Sequence, residues 1–194
     1  PFSISVLLKA DRNHERAVVL HRSRAWTDAA SQGWQILIEN GRILFALVHF
    51  WPGNAVAIKS KGRLPLNEWV WVTVTSDGSS RAAGLQIHFN HQKQAFVVVR
   101  DSLTRAITGG GPGDPTIGER FRDRGFAGGL VDEVLFFDFS VNNPALAKLR
   151  DVRLAKDTTL DGIPQLMVMK ELAEPRQAFL LERGNYLTPG EAVS

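Results

Sequence analysis

Residues 67–80 read NEWVWVTVTSDGSS, and this stretch decides the fold. Alternate side chains of an extended chain point to opposite sides. One side of the stretch is therefore Val70, Val72 and Val74, and the other is Trp69, Trp71, Thr73 and Thr75. The valine side is the natural core side. A single antiparallel sheet would leave it in water, so a second sheet has to cover it. The Asp77-Gly78 pair that follows opens a connection longer than a two-residue turn.

The same period-two signal runs through most of the chain. FSISVLLKA opens it, followed by RAVVLHRS, GWQILIEN, RILFALVHFW, AVAIKSK, LQIHFN, QAFVVVRD, TIGER and GLVDEVLFFD. Short runs rich in Val, Ile and Phe, bounded by Gly, Pro, Asn, Asp or Ser, indicate an all-β sandwich or barrel. Asn40-Gly41, between two such runs, marks a tight hairpin. One short helix is expected after the last run. Asn143 caps it, Pro144 takes its first position, and Leu146, Leu149 and Val152 line one side, closing the sandwich. Later the pattern changes to two extended runs, QLMVMKE and QAFLLERG, split by LAEPR. The reading is a sandwich over residues 1–156 and a C-terminal extension over 157–194. The extension is too short for its own core without metals or disulfides.

The 194-residue chain is the size of one domain. Its 23 basic and 20 acidic residues leave a net charge of +3. That is too weak a field for a dedicated nucleic-acid binder, so no nucleic-acid partner is expected. The absence of cysteine excludes disulfides, thiolate catalysis and cysteine-ligated zinc. No apolar run approaches about 18 residues, so no membrane insertion is expected. The chain opens on Pro1-Phe2 without a signal peptide and reads as a fragment of a longer protein.

These motifs in this order suggest a family. A Trp followed by alternating valines and Asp-Gly-Ser falls on residues 69–79, and LQIHFN follows at 85–90. Ile117-Gly118 and FAGGLVDEV at 126–134 complete the series. The chain resembles the laminin-G-like branch of the concanavalin A-like lectin/glucanase superfamily over roughly residues 2–150. The resemblance implies a jelly-roll sandwich of two antiparallel sheets, one of them concave. The details HRSRAWTDAASQGWQ, HFWPGN and GERFRDRGF, with the tail MVMKELAEPRQAFLLERGNYLTPGE, are further similar to planctomycete-type multidomain proteins. Those proteins join a cytochrome c-like segment, domains of unknown function and one such sandwich. This resemblance implies that residues 157–194 begin a following domain, and that the whole protein is exported, periplasmic or cell-surface. Two departures stand out. Asn90-His91 replaces the usual Asn-Gly turn, and the stretch before MVMKE is short.

Asp132 and Glu133 sit side by side in the apolar run GLVDEVLFFD. Burying an unpaired charge costs several kcal/mol or more. Neighbours on a regular strand face opposite ways, whereas glycoside hydrolysis needs two carboxyl groups converging on one bond. The related glucanases share an E-x-D-x-x-E run, which this chain lacks. An enzyme is not expected. Laminin-G-like domains often hold a structural Ca2+ at the sandwich rim, which suggests Asp132 as one ligand and Asp11 or Asn13, in the loop after the first strand, as another. The plainer reading is that Asp132 accepts hydrogen bonds from backbone or arginine and fixes a loop.

The candidate ligand-binding residues are Arg22, Arg24, Trp26, Asp28, His49, Trp51, Asn54, Arg120 and Arg122. Sugar recognition needs a flat apolar ring against the C–H face and planar polar groups for the hydroxyls. HRSRAWTD and HFWPGN supply both kinds. The competing reading packs the tryptophans under loops and pairs the arginines with Asp28, Glu119 and Asp123. GERFRDRGF, if extended, sets Arg120, Arg122 and Arg124 on one face, fit to grip an anionic polysaccharide. A salt-bridged loop is the alternative. The scattered histidines have no zinc-ligand spacing. GGGPGDP lacks the Lys-Ser/Thr of a phosphate loop, and no nucleophile elbow is present. The expectation is a non-catalytic carbohydrate-binding module that docks a glycan on the concave sheet. The alternative is a scaffolding domain that packs against neighbouring domains of the same polypeptide.

Overall fold

A computed structural model describes residues 1–108, 114–141, 145, 148, 151, 178–181 and 189–193. The chain divides into two compact units, Pro1–Ala155 and Lys156–Ser194. The first holds strands β1 (Phe2–Lys9), β2 (Arg16–Arg22), β3 (Gly33–Glu39), β4 (Arg42–Phe50), β5 (Asn54–Ser60) and β6 (Val70–Ser76). It continues with β7 (Leu85–Phe89), β8 (Gln92–Lys93), β9 (Phe96–Asp101), β10 (Thr116–Ile117) and β11 (Leu130–Phe137). They form a five-stranded sheet, β11-β1-β6-β7-β8, and a six-stranded sheet, β10-β2-β3-β4-β5-β9. Every pairing between them is antiparallel. This is the expected jelly-roll sandwich. In the second unit, β12 (Ala178–Leu181) pairs antiparallel with β13 (Pro189–Val193). QLMVMKE lies outside the described residues. Of the expected helix, Ala145, Lys148 and Asp151 are described and are helical. No helix among the described residues is long and apolar enough to cross a membrane.

The valine face of β6 is core, as the alternation requires. Val70, Val72 and Val74 are fully buried against Ile4, Val6 and Leu8 of β1 and Ile36, Phe45 and Ile58 of the opposite sheet. Burying each such side chain contributes about 1.5–3 kcal/mol. Thr73 and Thr75 are buried as well, on the far side of the same sheet. Segment 139–141 crosses that side near Ser3, whose hydroxyl donates to the Phe139 carbonyl and accepts from Val141 N–H. The six-stranded sheet is covered on both faces. Val18, Leu37, Leu44, Ala46, Val48, Ala55 and Ala57 form a second apolar cluster on its outer side, with Trp51 and Val99 packed against them. The continuous apolar run ILFALV in β4 follows from this, because a strand buried on both faces does not alternate.

Two hairpins turn through residues with positive φ at both central positions, Asn40-Gly41 (50° and 70°) and Asn90-His91 (45° and 68°). Each joins strands in two-residue register, Glu39 to Arg42 and Phe89 to Gln92. Asn90-His91 thus makes the same tight turn as an Asn-Gly pair.

The acidic doublet lies on β11, at the edge of the five-stranded sheet as ordered among the described residues. Both carboxylates are exposed, so no burial cost arises. The expectation that they face opposite ways does not hold. Val6 pairs with Val134 and Leu8 with Val131, so Leu7 alone opposes both Asp132 and Glu133. Val131 and Val134 both pack on the core. The doublet is the extra-residue site of a β-bulge, which places both members on the side away from the core.

Candidate functional site

At the end of β2, His21 is in register with Gln35 on β3 and Thr116 on β10. The chain after β2 and the chain after β10 then run side by side. Isolated bridges join Ala25 to Phe121 and Val18 to Gly125. Between the two segments opens a cleft of about 510 Å³. His21, Ser23 and Arg120 form its floor and are buried. Arg24, Glu119 and Phe121 stand exposed at its rim, with Phe121 69% exposed.

One carboxylate holds this corner together. Asp123 accepts from Arg16 through Nε at 2.6 Å and Nη2 at 3.0 Å. It also accepts from Arg120 through Nε at 3.1 Å and Nη2 at 2.5 Å, and from the Arg124 N–H at 2.9 Å. Arg120 Nη1 donates to Ser23 Oγ at 3.2 Å and to Gln35 Oε1. Arg16 Nη1 donates to Glu39 at 2.7 Å, and the Arg16 guanidinium carbon lies 3.6 Å from the Trp26 ring centroid. His21 Nε2 lies 2.8 Å from the Glu119 carbonyl oxygen. A carbonyl only accepts, so Nε2 carries the proton and Nδ1 accepts from Ser23 Oγ at 3.1 Å.

Some of the expected ligand residues come together. Trp26 and Trp51 lie 6.1 Å apart, and an isolated bridge joins Asp28 to Trp51. Both indoles are half-buried, Trp26 under Arg16 and Trp51 with the Arg100 guanidinium 5.8 Å from its centroid. Arg24 is at the cleft rim, and Arg22 is exposed at the end of β2. His49 and Asn54 point elsewhere. His49 Nδ1 donates to the Ala106 carbonyl at 2.8 Å. Asn54 donates to Thr104 Oγ1 at 2.7 Å and accepts from the Thr104 and Arg105 N–H groups. Both side chains pin residues 104–106.

The three arginines of GERFRDRGF do not share a face. The chain turns there, with the Asp123 N–H donating to the Arg120 carbonyl and Arg122 at φ 60°. Arg120 goes inward to Asp123, Arg124 pairs with Glu15 at 2.6 Å, and Arg122 lies 5.2 Å from the exposed Phe121 ring. The buried carboxylate of Asp123 makes the segment turn rather than run extended. The sequence reading missed Arg16, His21, Ser23 and the exposure of Phe121. An aromatic flanked by arginines in a Gly-bounded segment was the one available signal.

Asp11 contacts Arg12 at 3.2 Å and His14 at 3.3 Å, and Asp132 is exposed. Among the described residues, no three His, Cys, Asp or Glu side chains gather as a metal site would need.

Burial is the main cause holding His21 below the ordinary histidine pKa. Arg120 adds to the effect, and the hydrogen bond to Glu119 opposes it. His14 is lowered likewise, by burial and Arg12 against the pull of Asp11. Burial alone would raise the Asp123 carboxyl, but hydrogen bonds from Arg16, Arg120 and Arg124 outweigh it and lower its pKa. A depressed folded-state pKa contributes stability above the unfolded value and loses it as pH falls. The thermal midpoint is therefore expected to drop as pH falls below about 6.5, and to drop again below about 4. His21→Gln should reduce the first step and leave the second. A midpoint unchanged between about pH 7 and about pH 5 would contradict the burial of neutral histidine.

Two antiparallel sheets packed face to face define a jelly-roll sandwich domain, with the cleft at one sheet edge. The laminin-G-type profile described as the concanavalin A-like lectin/glucanases superfamily matches residues 1–147, and the chain belongs to that family. No curated protein matches the sequence. The fold is similar to the receptor-binding domain of botulinum neurotoxin type G, at 14% identity and TM-score 0.52. That match covers 78% of this chain and 38% of that one. Botulinum neurotoxin type C, whose cell entry is described as dependent upon interaction with two ganglioside molecules, matches at 16% identity and TM-score 0.51, covering 78% and 35%. The binding domain of neurotoxin DC in complex with rat synaptotagmin II matches at 14% and 0.53, covering 78% and 35%. The chain thus spans little more than a third of these structures, and the likeness is one of fold.

Proposed function

We propose that the sandwich is a non-catalytic glycan-binding module of a larger exported protein, with the glycan docked in the cleft between the segments after β2 and β10. One observation carries this reading. Phe121 presents an exposed ring beside the hydrogen-bonding side chains of Arg24 and Glu119. A sugar offers an apolar C–H face and a fringe of hydroxyls, and this rim complements both. The ganglioside dependence of one fold relative supports sugar as a ligand class. Asp132 and Glu133 are not among the residues lining the cleft, which favours binding over hydrolysis.

The test is a glycan array probed with the whole chain, with and without calcium. A subset of glycans should bind. Phe121→Ala should weaken that binding about tenfold or more, the equivalent of about 1.4 kcal/mol. Trp51→Ala should leave it intact if the chain still folds. Loss of binding on calcium removal would make Asp11 and Asp132 the first ligands to substitute.

The second reading is an interdomain scaffold. It is favoured by the Trp26–Trp51 pair, whose rings are half-buried, with Trp26 covered by Arg16 at 3.6 Å. An array with no bound glycan under any condition supports this reading and rejects the first.

A further inference from the structure

Resting on the glycan reading, we infer that the cleft selects an anionic glycan, one bearing a carboxylate or sulfate group, and that Arg24 and Arg122 hold that charge. Besides Arg16, which is held by Asp123 and Glu39, four guanidiniums stand near this corner. Two are engaged by the chain itself. Arg120 is buried and bound to Asp123, Ser23 and Gln35, and Arg124 pairs with Glu15. Among the described residues the other two make no ion pair, and both are exposed. Arg24 lines the cleft, and Arg122 lies against the ring of Phe121, which also lines it. The bridge between Ala25 and Phe121 sets their two segments in parallel. Two cations therefore flank one exposed aromatic face.

Two carboxylates must be weighed against them. Asp123 is buried and shared by Arg16 and Arg120, so it projects little field into the cleft. Glu119 is exposed at the rim. It opposes an anion by simple repulsion and accepts from a sugar hydroxyl. The balance at the rim is two positive groups to one negative. A guanidinium binds a carboxylate or sulfate through paired N–H donors, so the anion gains geometry as well as charge.

The experiment titrates the whole chain with oligogalacturonate, dextran sulfate and a neutral cello-oligosaccharide, at low and at physiological salt. One or both charged glycans should bind about tenfold or more tightly than the neutral one, with the advantage shrinking as salt rises. Which charged arm binds distinguishes carboxylate from sulfate. Arg24→Gln and Arg122→Gln should each weaken the charged arm about tenfold. Glu119→Gln should strengthen it about threefold, a gain that a merely structural role would not give. Equal binding of charged and neutral glycans, or indifference to both arginine variants, overturns the anionic assignment and leaves glycan binding standing. If none of the three probes binds while the array shows other ligands, the assignment also falls. If the array too is empty, the underlying reading falls with it.

Discussion

Asp123→Ala is expected to lose about 3–5 kcal/mol of stability, the loss typical when one partner of a buried ion pair is removed. The carboxylate is 2% exposed and Arg120 is fully buried beside it. Alanine would leave two guanidiniums, Arg16 and Arg120, facing one another across a space with no anion. Arg120 can keep its bonds to Ser23 and Gln35, but its Nε and Nη2 donors would be unmet. Arg16 would keep Glu39 and the face of Trp26. For a domain of this size the change corresponds to a drop of roughly 10 °C in thermal midpoint. Urea unfolding followed by tryptophan fluorescence is the direct measurement, because Trp26 lies against Arg16. Asp123→Asn separates charge from shape. It retains an acceptor oxygen and should lose less than alanine while still failing to neutralise the pair. A variant within about 0.5 kcal/mol of the parent, the range of an ordinary surface substitution, would show that the network does not hold the corner.

That network also marks the limit of what the sequence discloses. The two sheets were legible because strand alternation is local. Val70, Val72 and Val74 declare a core face within five residues, and Asn40-Gly41 declares a turn within two. Positions coupled over long separations leave no such local trace. Arg16 meets Asp123 across 107 residues, and nothing near Arg16 in the chain announces a partner. The acidic doublet failed for a related reason. Strict alternation assigns Asp132 and Glu133 to opposite faces, but a bulge shifts the count by one. The bulge is visible only in the pairing with β1, where Leu7 stands opposite both. Burial misled in the same way. Trp26 and Trp51 carry the composition of a sugar platform, yet composition does not tell whether a ring face meets solvent or an arginine of the same chain. The rim residue the structure offers instead is Phe121, which in the sequence is one aromatic among eleven phenylalanines.

The distinction between the two aromatics gives the second large effect. Trp26→Ala is expected to lose about 3 kcal/mol, near the lower end for removing a large aromatic, because the ring is half-buried rather than enclosed. It would remove the cation–π contact with Arg16 at 3.6 Å and the contact with Trp51 at 6.1 Å. Trp26 also anchors the segment that carries Arg24, only two residues before it. Glycan affinity should therefore fall together with stability. Trp26→Phe should recover much of both, since a smaller ring still sits under a guanidinium. Phe121→Ala should behave in the opposite way. Its ring is 69% exposed, so unfolding should shift by no more than about 0.5 kcal/mol while binding is lost. Paired denaturation and titration curves for the two variants decide between the roles. If Trp26→Ala keeps full stability and loses only binding, Trp26 is a contact residue after all, and the cleft extends over the outer face of the six-stranded sheet toward Trp51. If Phe121→Ala unfolds early, its ring supports the fold and the rim has no aromatic platform.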